Sequence, residues 1–206
     1  MTRTVPAEPR RIAIIQGHPD PEGCHFGHAL ADAYARGASG AGREVDVIAV
    51  AKLDFPLLRS KAALENGPVP ESIRHAQSLI ARCEHLVMFY PVWNGATPAI
   101  LKGFLEQTFR PAFIFPDAKP GEPLGFSSAL RQRKGLAGKT GRIVVTMQMP
   151  AFVYRWYFHP HPEKNTLRLS GIGPVKESLI GLVETANGER RERWLRTMHA
   201  FGRDGR

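Results

Sequence analysis

Short apolar runs alternate with segments of helical spacing along this chain, and that alternation constrains the fold more than any other feature. The first run, Arg11-Ile-Ala-Ile-Ile-Gln16, is almost wholly apolar, as a strand buried on both faces requires. Phe26, Ala29, Leu30, Ala33 and Tyr34 then recur at helical spacing. Residues 25–38 therefore read as a helix, stopped by the glycines between Gly37 and Gly42. The same rhythm predicts strands at Glu44–Val50, Leu86–Tyr90, Arg142–Met147 and Val175–Val183. It predicts helices at Glu71–Cys83, Ala99–Thr108 and Glu189–Phe201. Thr97 is placed to cap the second of these, with Pro98 at its first helical position. Residues 51–70 read as a polar, proline-bearing connection, and residues 109–138 and 148–173 as irregular connections rich in proline and aromatic side chains. Strand and helix in alternation imply a five-stranded parallel sheet covered on both faces. Residues 1–10 read as a disordered leader, and residues 11–206 as a single domain without internal repeat or linker.

Composition narrows the classes of function. The chain has 206 residues, 43% of them hydrophobic, enough for one sizeable core. No apolar run approaches the roughly 20 residues needed to cross a bilayer, and no signal peptide is evident, so a cytoplasmic protein without membrane insertion is expected. Two cysteines, Cys24 and Cys83, fit a reducing compartment and exclude an all-cysteine iron–sulfur cluster within one chain. The net charge is +9, concentrated in Arg131, Arg133, Lys134, Lys139 and Arg142 and in the arginines after residue 189. Without a nucleic-acid motif beside them, these read as solvated basic faces, and no nucleic-acid partner is expected.

In a parallel α/β sheet a ligand sits beyond the carboxyl ends of the strands. Three loops converge there: 17–25, 91–97 and 148–161. The first, Gly17-His18-Pro-Asp-Pro-Glu-Gly23-Cys24-His25-Phe26-Gly27, joins a strand to a helix N-terminus, where backbone N–H groups and the helix dipole suit a phosphate. The second, Pro91-Val92-Trp93-Asn94-Gly95, presents an aromatic wall and backbone groups able to fix the edge of a flat ligand. The third, Thr146-Met147-Gln148-Met149, leads to Tyr154 and to His159 and His161. Gly138-Lys139-Thr140 mimics the end of a P-loop but lacks its first glycine and precedes a strand. Gly171-Ile-Gly173 lacks the third glycine of a dinucleotide fingerprint. His159 and His161 have no evident third metal ligand, and no metal is expected.

Together these loops resemble those of the flavodoxin-like NAD(P)H quinone oxidoreductases, the DT-diaphorase family with its short bacterial members. The resemblance runs from about residue 11 to about residue 183. Its most specific part is Pro-Ala-Ile-Leu-Lys-Gly-Phe104 following the Pro-Val-Trp loop. It implies a flavodoxin-like three-layer sandwich holding FAD or FMN noncovalently. It also implies NAD(P)H as electron donor, a quinone-like acceptor, ping-pong two-electron transfer, and a homodimer with its sites at the interface. By position, His18 resembles the pyrophosphate-contacting histidine, while Phe26 and Gly27 fall at the phosphate-binding helix start. Pro91, Val92, Trp93 and Asn94 match the loop bordering the flavin ring, and Thr146, Met147, Gln148 and Met149 the second ring-contacting loop. Tyr154 matches the tyrosine beside the ring, with His159 or His161 as its partner. The chain departs from the family in offering Cys24 and His25 near the phosphate, and Gln148-Met149 in place of a glycine pair. Two further readings share this fold: a flavodoxin-type electron carrier, and a regulatory flavoprotein subunit of a potassium-efflux-type system.

Overall fold

The computed structural model describes residues 10–118, 133–158 and 162–206. Apart from Arg10, the expected leader lies outside the described residues. Five strands form one all-parallel sheet in the order β2-β1-β3-β4-β5. They are β1 (Arg11–Gln16), β2 (Glu44–Ala49), β3 (His85–Pro91), β4 (Thr140–Thr146) and β5 (Val175–Ile180). Eight helices cover it among the described residues: α1 (Phe26–Gly40), α2 (Lys61–Asn66), α3 (Glu71–Arg82), α4 (Ala99–Thr108), α5 (Pro111–Ile114), α6 (Ala151–Phe158), α7 (Pro162–Ser170) and α8 (Gly188–Arg203). No described helix is long and apolar enough to cross a membrane.

The alternation within each strand divides the core. Ile12 and Ile14 of β1, Val87 and Phe89 of β3 and Val144 of β4 point to one face and pack with Leu30 and Tyr34 of α1 and Met198 of α8. Ala13, Ile15, Leu86, Met88, Tyr90, Ile143 and Val145 point to the other and pack with Ile73 and Ile80 of α3, Leu101 and Phe104 of α4 and Leu167 of α7. Burying each such large apolar side chain contributes about 1.5–3 kcal/mol. A strand buried on both faces has no polar side to expose, which is why β1 and β3 carry uninterrupted apolar runs.

The expected elements are all present, with shifted ends. Pro98 is the N-cap of α4 rather than its first helical residue, and Thr97 makes no cap bond; the Pro98 carbonyl accepts the first helical N–H, from Lys102. β5 ends at Ile180, three residues early, because Leu182 turns the chain with φ +58°. Gly181 is needed there: a Cβ on it would lie 2.5 Å from the Met149 carbonyl oxygen. Four helices were not expected. α2 lies in the polar connection after β2, capped by Ser60, whose Oγ accepts the Ala63 N–H at 3.1 Å. α5 breaks the connection after α4, and α6 and α7 fill the aromatic one after β4.

The first basic run is only partly a solvated face. Arg142 is buried, donates to Ser178 Oγ at 2.7 Å and lies 3.9 Å from the centre of the Phe201 ring. Lys139 donates to the carbonyls of Ala81 and Cys83, closing the C-terminal end of α3. Arg133 pairs with Asp117 at the surface, as expected, and Arg131 lies outside the described residues.

Candidate functional site

The loops after β1, β3, β4 and β5 enclose a cleft of about 710 Å³ at the carboxyl edge of the sheet. Each loop is fixed from below. Gly17 N–H donates to the Phe89 carbonyl at 2.7 Å, tying the exit of β1 to β3. The Gln16 amide accepts the His18 N–H at 2.9 Å and donates to the Gly27 carbonyl at 3.3 Å, spanning the loop between β1 and α1. Val92 N–H donates to the Thr146 carbonyl at 2.8 Å, and Met147 N–H to the Ile180 carbonyl at 3.0 Å. These bonds tie the rims of β3, β4 and β5 to one another.

The first loop is an Asx turn on which histidines are mounted. The Asp20 carboxylate accepts the N–H groups of Glu22 at 3.0 Å and Gly23 at 3.2 Å, and holds His25 Nε2 at 2.8 Å. The bond to His25 and then the Glu22 N–H hold its carboxyl down to about 2. His18 and His25 stack with ring centres 3.8 Å apart, and His28 meets both rings at an edge, 5.1 and 5.6 Å away. His18 is 8% exposed. Burial, then the neighbouring His25 and His28, lowers its pKa from the ordinary histidine value. The α1 N-cap, His25, offers no side-chain acceptor, and the first turn of α1 has no acidic residue. The N–H groups of Phe26 and Gly27 are thus left without acceptors among the described residues, at the cleft wall.

The second loop is a tight reversal. Trp93 and Ala96 exchange backbone hydrogen bonds of 2.9 and 3.0 Å around Asn94 and Gly95, whose φ angles are +48° and +80°. Positive φ at both central residues makes a type I′ turn, for which Asn-Gly is the favoured pair. The turn leaves Trp93 52% exposed against the cleft, its ring edge-on to His18 at 6.4 Å. In the third loop the N–H groups of Gln148 and Met149 have no acceptor among the described residues. The Gln148 amide is bonded to Glu184 on the loop after β5.

All thirteen expected cofactor-contacting residues border this cleft: His18, Cys24, His25, Phe26, Gly27, Pro91, Val92, Trp93, Asn94, Thr146, Met147, Gln148 and Met149. Tyr154, expected beside the ring, is not among the residues that line the cleft. Tyr154 is 2% exposed, buried in the core, and its ring stacks on Phe158 at 5.3 Å rather than facing the cleft. Burial, then Glu163 and Glu177, pushes its hydroxyl up to about 12. Residues 151–158 form a helix, and its inward side carries Tyr154 while Phe152, Trp156 and Tyr157 point out. His159 and His161 lie outside the described residues. Among the described residues no cluster of His, Cys, Asp and Glu has the arrangement to hold a metal ion.

Sequence reasoning missed Asp20, Gly95, Val183, Glu184 and Arg191, which also border the cleft. Asp20 was findable, since Asp-x-Glu-Gly is an Asx-turn pattern. Arg191 carried no signal, being one arginine among many. Its guanidinium donates to the carbonyls of Val183 at 3.0 Å and Ala186 at 3.1 Å and lies 5.7 Å from the Phe26 ring centre.

A family model described as flavodoxin-like fold matches residues 10–200. The chain belongs to the flavodoxin-like family. Two relatives of this flavodoxin-like protein are each 29% identical to it. One, over 115 residues covering 54% of this chain and 56% of its own, is an uncharacterized NAD(P)H oxidoreductase of Haemophilus influenzae. The other, over 134 residues covering 56% of this chain and 63% of its own, is an FMN-dependent NADH:quinone oxidoreductase of Ruegeria pomeroyi. The chain thus spans less than two thirds of the length of either relative. Among solved structures, the NAD(P)H:quinone oxidoreductase from Methanothermobacter marburgensis shares the fold, with a TM-score of 0.72 at 19% identity over 96% of each chain.

Proposed function

We propose that this flavodoxin-like protein is a flavin-dependent NAD(P)H oxidoreductase that passes two electrons to a small quinone-like acceptor. The observation that carries the reading is the shared cleft of about 710 Å³ bordered by all three expected loops. That volume falls in the range of cofactor sites, roughly 300–1,000 Å³. Of the two flavin nucleotides, the Ruegeria relative's FMN dependence supports FMN.

The residues present fit a flavin nucleotide. Acceptor-less N–H groups of Phe26 and Gly27, with His18 and His25 beside them, suit a phosphate. The half-exposed Trp93 ring offers an apolar wall against which a flat ring would shed water. The N–H groups of Gln148 and Met149, without acceptors among the described residues, suit the polar edge of that ring. A bound flavin supplies the two-electron redox chemistry. This chain's residues hold and orient the reacting groups, and fixed backbone dipoles favour the negative charge that develops there. The exposed aromatic face of α6 supports the homodimer: Phe158 of that helix packs on Gly95 at the cleft's edge, so a second copy on α6 would border the site.

The purified protein is expected to be yellow, to release FMN identifiable by mass, and to consume NADH or NADPH steadily with a soluble quinone. A colourless protein that neither FMN nor FAD reconstitutes would overturn the reading.

A further inference from the structure

His18 and His25 border the phosphate end of the cleft, and His28 stands against both rings on the side of an adjoining groove. His18, His25 and His28 form a closed ring cluster, with His18 and His25 stacked at 3.8 Å. Two charged imidazoles at that separation repel, and most strongly at the buried His18. Burial, then the stacked His25 and the nearby His28, disfavours a proton on His18 while the seat is empty. The bonding around His18 accommodates either protonation state. Its Nδ1 lies 3.1 Å from the Asp20 backbone nitrogen and 3.3 Å from the Asp20 carbonyl oxygen, so it accepts the N–H when neutral and donates to the carbonyl when charged. His25 is held by the Asp20 carboxylate at 2.8 Å and His28 by the Gly23 carbonyl at 2.8 Å, which anchors both rings beside His18.

We propose that the His18–His25–His28 cluster is a proton-coupled phosphate seat: a flavin phosphate binds together with a proton taken up by the histidines. This rests on the flavin reading above. The binding step balances as nucleotide plus proton plus protein giving a complex with one more imidazolium and one less uncompensated negative charge. Other charged and titratable groups share the surroundings. Asp20 and Cys24 lie in the same loop, and Glu184 and Arg191 across the cleft. Asp32 of α1 and Lys52 line an adjoining groove of about 230 Å³ that His18 and His28 also border. The phosphate of FMN, with its second pKa near 6, is already a dianion above about pH 7. Any pH dependence of affinity above that pH therefore belongs to the protein.

The test uses the full chain freed of bound flavin, titrated calorimetrically with FMN, FAD and riboflavin in buffers of different ionisation enthalpy, between pH 7 and 8.5. The expected result is uptake of roughly half a proton or more per nucleotide, and affinity falling about tenfold across that range. Riboflavin should show neither effect. Uptake with FMN but not FAD identifies a phosphate monoester as the ligand of the seat; uptake with both identifies phosphate generally. The triple variant His18→Asn, His25→Asn, His28→Asn should bind riboflavin as before but lose the proton uptake and most of the preference for the nucleotide. Should that variant not fold, the proton count of the native chain decides alone. Zero uptake with both nucleotides, or equal uptake with riboflavin, overturns the proposal while leaving the flavin reading intact. Failure to bind any of the three at any pH sinks the flavin reading itself.

Discussion

Trp93 owes its exposure to the two residues that follow it. Asn94 and Gly95 both adopt positive φ, and the chain reverses so tightly that the indole cannot fold back into the core. Such a side chain stabilises the fold little but offers a large flat surface to a ligand. Trp93→Ala should therefore lower flavin affinity about tenfold or more, by loss of roughly 1.5–3 kcal/mol of apolar contact, while the thermal midpoint of the flavin-free protein changes little. Fluorescence titration with FMN and a thermal melt check the two halves. His85 shows the opposite case, a polar residue wholly in the core. Its Nδ1 lies 2.6 Å from Thr140 Oγ1, and its Nε2 is buried without a partner. Burial, reinforced by Arg142, Lys176 and Arg43, lowers its pKa to about 4. A folded-state pKa below the unfolded value means that the unfolded chain binds the extra proton between about pH 6.5 and pH 4. Stability is then full above the unfolded pKa and falls as pH drops through that window. Urea unfolding at pH 5 should show about 2 kcal/mol less stability than at pH 7.5 from this group. His85→Asn, which cannot charge, should lose correspondingly less.

Helix α8 is held against α1 by the absence of side chains. A Cβ on Gly37 would overlap the His199 carbonyl, and one on Gly202 the Tyr34 carbonyl, so the two backbones touch at two points. Neither glycine has a positive φ; close approach alone requires them. Arg142 then reaches from β4 to stack on Phe201 beneath the same helix. Gly202→Ala should push the helices apart and cost about 3 kcal/mol, shifting the thermal midpoint down by roughly 6–12 °C. Gly188→Ala, at a helix start with open space around it, should change the midpoint by less than about 2 °C. Such contacts were not legible in the sequence, because a helix glycine that permits packing looks the same as one that merely weakens a helix. The strands were legible, since a short apolar run between turn residues fits little besides a strand buried on both faces. Their ends were not: Leu182 carries β5 into a turn through a positive φ that no leucine announces.

At the scale of the molecule, the cleft was legible because three loops after successive strands each carried side chains that a mere connection does not need. What was not legible was α6, whose residues read as part of an irregular connection. Its sequence Phe152-Val-Tyr-Arg-Trp-Tyr-Phe158 is aromatic on every side, so helical spacing could not say that Tyr154 turns inward while Trp156 turns out. The outward side is the larger anomaly. Phe152, Trp156 and Tyr157 are 72%, 83% and 76% exposed on a single helix, a concentration of aromatic surface that a monomer rarely leaves in water. Phe158, at the end of the same helix, packs against Gly95 of the Trp93 turn, so whatever covers α6 also borders the cleft. A second copy is the occupant that would complete both sites at once, by the two-fold symmetry common to homodimers. Sedimentation velocity at micromolar concentration should therefore give a species of twice 22.8 kDa. Trp156→Glu, placing a charge in the centre of the interface, should yield the single-chain mass with an unchanged circular dichroism spectrum. The same variant should retain less flavin, because the partner's surface no longer closes the cleft mouth. A native chain that sediments as a monomer with full flavin occupancy would leave the aromatic face without this role and the cleft complete within one chain.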